Sequence, residues 1–138
     1  MNKSKIRIML VDDHRLILES WKILLDNDPR FSIVAECESG AEAIREAAAL
    51  KPDIILMDIN MFPINGFEAT EKILANYPLI KVIGVSINNQ PGYANRIMKL
   101  GAKGFVTKGS SFEELTHAII EVHQGSEYIC EEIRRNMN

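Results

Sequence analysis

Residues 53–58 read "DIILMD": behind Pro52, four apolar residues run unbroken between two aspartates. A strand with one wet face alternates apolar and polar residues, so an uninterrupted run bounded by turn residues marks a strand buried on both faces. The same texture recurs upstream in Lys5–Val11 ("KIRIMLV") and downstream in "IKVIGVS", which ends on Ser86. Shorter versions are "SIVAEC" and "GFVTK", the latter ending on Lys108.

Helical patterns fill the gaps between these runs. Leu16, Ile17, Trp21, Leu24 and Leu25 recur at helical spacing after the first run, and "NDPR" stops that helix. Ser39 with Glu42, and Ser111 with Glu114, have the spacing of capping boxes opening helices two and five. A third helix spans about 67–76; Pro91 suits the first turn of a fourth, which Gly101 closes. Five βα units with apolar strands predict an α/β fold: a doubly wound, parallel, five-stranded sheet covered by helices on both faces.

Bulk properties narrow the function classes. The chain has 138 residues, one domain's worth, 46% hydrophobic and 25% charged, with a net charge of −3. Nothing in that charge suggests a nucleic-acid or membrane surface. Cys37 and Cys130 stand alone, outside any CxxC or Cys/His array, and are expected as reduced thiols. No apolar run approaches the length of a spanning helix, so a cytoplasmic domain with no membrane contact is the expectation.

In doubly wound sheets, functional groups gather beyond the carboxyl ends of the strands, where strand order reverses. Those ends carry Asp12 and Asp13 after strand one, Asp58 after strand three, Ser86 after strand four and Lys108 after strand five. Adjacent carboxylates at the mouth of a core strand repel one another and resist burial, so three of them call for a cation. All the evident ligands are oxygen, which selects a hard cation, Mg²⁺ by default. A strand-end carboxylate beside such an ion can act as a nucleophile toward a phosphoryl group, whose oxygens need the ammonium of Lys108 and the hydroxyl of Ser86. His14 reads as a first-turn helix residue, His117 and His123 carry no signal, and Trp21 with its Leu/Ile stripe reads as core.

The stretches "VDDH", "ILMDINM", "GVS" and "GFVTK", in this order, resemble the receiver domain of two-component response regulators, in particular the NarL/FixJ (LuxR) type. The likeness covers roughly residues 5–124. It implies a flavodoxin-like sheet of order 2-1-3-4-5, with the receiver in 1–124 and residues 125–138 starting a linker to a helix-turn-helix output domain. By the resemblance Asp58 is the phosphoacceptor. Asp13, Asp58 and the backbone carbonyl of Asn60 ligate Mg²⁺, and Asp12 acts through a water. Lys108 and Ser86 contact the phosphoryl oxygens, and Ser86 and Phe105 are the switch residues. It further implies a sensor histidine kinase as phosphoryl donor, homodimerisation on phosphorylation, DNA contact only through the output domain, and a switch rather than an enzyme. A stand-alone receiver, acting by protein–protein contact or in a phosphorelay, is the alternative output. Phe105 replaces the tyrosine of many relatives, and "INNQPGYAN" carries a Pro-Gly pair where many have acidic residues.

Two other chemistries fit less well. A phosphatase of the haloacid dehalogenase type would want a second Asp two positions after the nucleophile, where Asn60 stands. A nucleotide-binding module would want a glycine-rich loop after strand one, where "DDHRL" stands.

Overall fold

A computed structural model describes residues 4–137; residues 1–3 and 138, the outer ends of the expected receiver and linker segments, fall outside the described residues. The apolar runs form strands β1 (Ile6–Val11), β2 (Phe31–Cys37), β3 (Ile54–Asp58), β4 (Lys81–Ser86) and β5 (Gly104–Thr107). Between and after them lie helices α1 (Arg15–Asp26), α2 (Gly40–Leu50), α3 (Gly66–Asn76), α4 (Pro91–Lys99) and α5 (Phe112–His123). All strands pair in parallel, in the order β2-β1-β3-β4-β5, with a sixth strand, β6 (Tyr128–Ile129), added beyond β5. A short helix, α6 (Glu131–Arg135), follows it. β3, whose sequence set the fold class, is buried at every residue, between β1 and β4.

The expected five-stranded sheet therefore becomes six-stranded, and backbone chemistry explains why. Tyr128 N–H donates to the Lys103 carbonyl at 3.0 Å and Cys130 N–H to that of Phe105 at 2.9 Å. Gly104 lets the edge close: a Cβ there would stand 3.2 Å from the Tyr128 carbonyl oxygen and 3.1 Å from Val122. Residues 128–135, read as the start of a linker, lie against the sheet edge with Cys130 and Ile133 fully buried. The two-residue strand is too short for periodicity to register.

Helices cover both faces of the sheet. A Cβ on Gly84 would meet Ile97 of α4 and the ring of Phe105; Gly104, the next residue along β5 and hence facing the other way, looks onto Val122 of α5. α5 therefore lies opposite α4. Since β4 to β5 and β5 to β6 step across the sheet in the same direction, the β5–α5–β6 crossover has the opposite hand to β4–α4–β5.

α1 departs from its expected face. Leu18 and Leu25, seven residues apart, are buried and Trp21 is half-buried, while Leu16 and Leu24 are 77% and 46% exposed. The run "RLILESWKILL" carries more apolar residues than one stripe holds, so spacing alone did not identify the buried one. Capping also differs in detail. Ser39 and Ser111 each accept from the expected glutamate N–H, but the Glu114 carboxylate goes to the Tyr128 hydroxyl and the Glu131 N–H. The complete capping box belongs to α3, between Asn65 and Glu68.

Candidate functional site

Strand order reverses between β1, whose chain crosses to β2, and β3, whose chain moves the other way to β4. Beyond the carboxyl ends of these strands the fold brings together Asp12, Asp13, Asp58, Ser86 and Lys108, the five groups expected there. Asp12 and Asp58 are fully buried, and Asp13 beside them is partly open to solvent. One ligand atom each from Asp12, Asp13, His14 and Asp58 lie within 4.8 Å of one another.

The carboxylates are unequally satisfied. Asp12 Oδ1 accepts from the His14 backbone N–H at 2.8 Å, and His14 Nδ1 lies 2.9 Å away. That imidazole nitrogen is also 3.1 Å from Asp13 Oδ1. Lys108 Nζ contacts Asp12 Oδ2 at 2.8 Å without hydrogen-bond alignment, and reaches only to 3.6 Å from Asp58 Oδ2. Asp58 Oδ1 accepts the Asn60 N–H at 3.0 Å. Among the described residues, Asp12 Oδ2 and Asp58 Oδ2 are the buried carboxylate oxygens with no hydrogen-bond donor.

Burial is the main reason that the Asp58 carboxyl is pushed up to about 6; the Asn60 N–H opposes this, Asp12 and Asp13 add to it, and Lys108 opposes it. Three carboxylates against one lysine leave a local excess of negative charge, and two buried oxygens point into it without donors. Three carboxylates with this deficit, beside one imidazole nitrogen, fit a divalent cation. Aspartates before a helix often cap it, but here His14 sits at the N-cap of α1 and no side chain caps that helix.

Ser86 is buried at the end of β4. Its hydroxyl donates to the Asn60 side-chain oxygen at 3.0 Å and accepts the Asn88 N–H at 3.0 Å. Lys108 N–H donates to the Ser86 carbonyl at 2.8 Å, which keeps the ends of β4 and β5 in step. Phe105 is fully buried beside Gly84, in the core and away from the carboxylates.

Sequence reasoning missed three contributors. His14 reads from the sequence as a first-turn helix residue, yet its ring touches both neighbouring carboxylates; its place in "DDH" is the available signal. The Asn60 side chain, which holds the Ser86 hydroxyl, was overlooked in favour of its backbone. Gly66 carries no signal of its own in the sequence, yet a Cβ there would stand 2.3 Å from the Asp58 carbonyl oxygen and 2.5 Å from Ile59 Cα. Only glycine lets α3 start that close to the strand end.

A model of the response regulator receiver domain family matches residues 8–120. The transcriptional regulatory protein DegU of Brevibacillus brevis is 38% identical over 137 residues, covering 99% of this chain and 58% of DegU. The response regulator GacA of Pseudomonas viridiflava is 36% identical over 132 residues, covering 96% of this chain and 62% of GacA. This chain thus spans 58% and 62% of the length of these two curated relatives. In structure, it is similar to a LuxR-family two-component response regulator from Aurantimonas sp. SI85-9A1, with a TM-score of 0.92 at 32% identity over 96% of this chain and 95% of that one.

Proposed function

The chain belongs to the response regulator receiver domain family, and on that premise we propose that transfer of a phosphoryl group from the phosphohistidine of a sensor histidine kinase to Asp58 switches it. One observation carries the reading: Asp58 is fully buried at the end of β3, with Oδ1 held by the Asn60 N–H and Oδ2 free of donors. An unpartnered buried carboxylate oxygen costs stability and is a nucleophile waiting for an electrophile. In the step proposed, an Asp58 oxygen attacks phosphorus as the P–N bond to the donor imidazole breaks. The imidazole leaves with the electron pair and takes a proton from solvent.

The chain's own groups then act on the new phosphoryl oxygens. Lys108, 2.8 Å from Asp12 and 3.6 Å from Asp58, supplies an ammonium with a small movement. Ser86 turns its hydroxyl from Asn60 toward the phosphoryl oxygen, and because the same oxygen accepts the Asn88 N–H, the loop after β4 is drawn with it. Phe105, packed against Gly84 beneath that loop, repacks as the second switch residue. Asp13, Asp58 and the Asn60 backbone carbonyl would hold Mg²⁺, with Asp12 acting through a water. When bound, the ion supplies positive charge that three carboxylates and a phosphoryl group require.

The product is a changed surface rather than a released compound, so the chain works as a switch in the cytoplasm and not as a turnover enzyme. Its output, by likeness to DegU, a transcriptional regulatory protein, is control of transcription; homodimerisation on phosphorylation and a DNA-binding domain beyond the receiver are the route proposed. Acetyl phosphate tests the chemical core. With Mg²⁺, intact-protein mass spectrometry should give one phosphoryl adduct, absent in Asp58→Asn. An adduct that persists in that variant on another residue would overturn the assignment.

A further inference from the structure

The function proposed above leaves unused the segment after α5, and that segment grips both halves of the phosphoryl site. Glu132 of α6 accepts from the Thr107 hydroxyl at 2.8 Å with one oxygen and from the Asn89 side-chain amide at 3.0 Å with the other. Asn136 donates to the Asn89 backbone carbonyl at 3.1 Å. Thr107 immediately precedes Lys108, and Asn89 follows Asn88, whose N–H hangs on the Ser86 hydroxyl. One carboxylate therefore staples the segment carrying Lys108 to the loop carried by Ser86. Ile133 is the apolar peg of the staple, fully buried beside it.

We propose that α6 is a latch on the loop after β4, closed in the unphosphorylated chain and released when Ser86 turns toward a phosphoryl group on Asp58. The latch rests on the reading of Asp58 and Ser86 given above. Its geometry is a short chain of bonds. Rotation of the Ser86 hydroxyl moves the Asn88 N–H; the next residue, Asn89, then leaves Glu132 and Asn136 together. What stays is the two-residue β6, the buried Cys130 and Ile133, the Thr107–Glu132 bond and the Glu131 N–H on Glu114, all at one end or on one side of a five-residue helix that has no stability of its own. Release at this point carries the state of Asp58 to the C-terminal side of α6, a route beside any change at a dimer face. Because coupling is reciprocal, cutting the latch must also favour the phosphorylated-like state of the site.

Amide hydrogen exchange on the full chain with beryllofluoride and Mg²⁺ as the probe decides the matter. Beryllofluoride should speed exchange of the Arg134, Asn136 and Met137 amides at least tenfold. Glu132→Ala should give the same acceleration without it, and should tighten beryllofluoride binding by about fivefold to tenfold, in the usual range of coupled sites. Asn89→Ala should do likewise, and the double variant should add little to either single one. If beryllofluoride does not bind, the reading of Asp58 has failed. If it binds and shifts Ser86 and Asn88 while α6 stays protected, or if Glu132→Ala leaves its affinity unchanged, the latch is wrong and the phosphoryl site stands.

Discussion

Lys108 is closer to Asp12 than to Asp58, at 2.8 Å against 3.6 Å, so the lysine is engaged by the carboxylate that is not the proposed nucleophile. Asp12, fully buried, keeps its other oxygen on the His14 N–H. Held this way, Asp12 positions the ammonium at the rim of the Asp58 oxygen without quenching it. Removing the lysine should leave two buried carboxylates facing each other. Lys108→Met is expected to destabilise the metal-free protein by about 3 kcal/mol at pH 7, since breaking one partner of a buried pair strands the other charge. Urea unfolding at pH 7 checks it, and the loss should shrink near pH 5 as Asp58 takes up a proton.

The raised Asp58 carboxyl gives stability a definite pH dependence. Its value of about 6 when folded exceeds the ordinary 3.8, so the folded chain holds this proton more tightly than the unfolded chain does. Stability contributed by this group is therefore largest below about pH 4, falls as pH rises toward about 6, and stays low above it. The difference is roughly 3 kcal/mol, from about two units at 1.36 kcal/mol each. Asp58→Asn should be more stable than the parent at pH 7 by an amount of that order, and the two should converge at pH 4. Equal stabilities at pH 7 would count against burial as the cause.

Asp13 is the most open of the three carboxylates, so its loss should spare the fold. Asp13→Ala is expected to weaken Mg²⁺ binding by tenfold or more while changing metal-free stability by less than about 1 kcal/mol. Isothermal titration with Mg²⁺ and thermal melts in chelator separate the two effects. A large loss of stability in chelator would restore a structural role for this aspartate.

Gly66→Ala tests the close start of α3. The added Cβ meets backbone at 2.3 Å, an atom that cannot swing aside as a side chain would. About 3 kcal/mol or more of destabilisation is expected, together with loss of acetyl-phosphate labelling, because the displaced atoms belong to Asp58 itself. Retained labelling at full rate would show that the strand end tolerates the shift.

Much of this molecule was legible beforehand because its strands are buried on both faces and so carry an unmixed apolar signal. That signal placed β1, β3 and β4, and with them Asp12, Asp13, Asp58 and Ser86; Lys108 follows the shorter run of β5. β6 escaped because two residues have no period, and because what holds it is backbone bonding to Lys103 and Phe105 across the gap Gly104 leaves, rather than a pattern in Tyr128–Ile129. The buried stripe of α1 was misread since its apolar residues outnumber what one face can hold. Leu16 and Leu24 are as greasy as Leu18 and Leu25, and only the side of the helix that meets the sheet tells them apart. The partners of Glu114 and Glu132 were invisible for a different reason. A carboxylate that bridges elements far apart in sequence leaves no local trace.

The crossover from β5 through α5 to β6 winds against its neighbour β4–α4–β5, and this has a consequence for how the chain is assembled. Right-handed units can be laid down one after another, each strand finding a sheet already curved to receive it. β6 cannot join that progression; it has to wait until β5 and α5 are in place, and it is held by few bonds when it arrives. A two-residue edge strand of this kind is expected to be the last piece on and the first piece off, a small unit of independent opening at one margin of the sheet. Peeling it away unthreads nothing. The edge it uncovers is β5, only four residues long and carrying Gly104 and Thr107 at its ends, a poor template for a second chain. The protein can expose this margin repeatedly without inviting a neighbour to pair there.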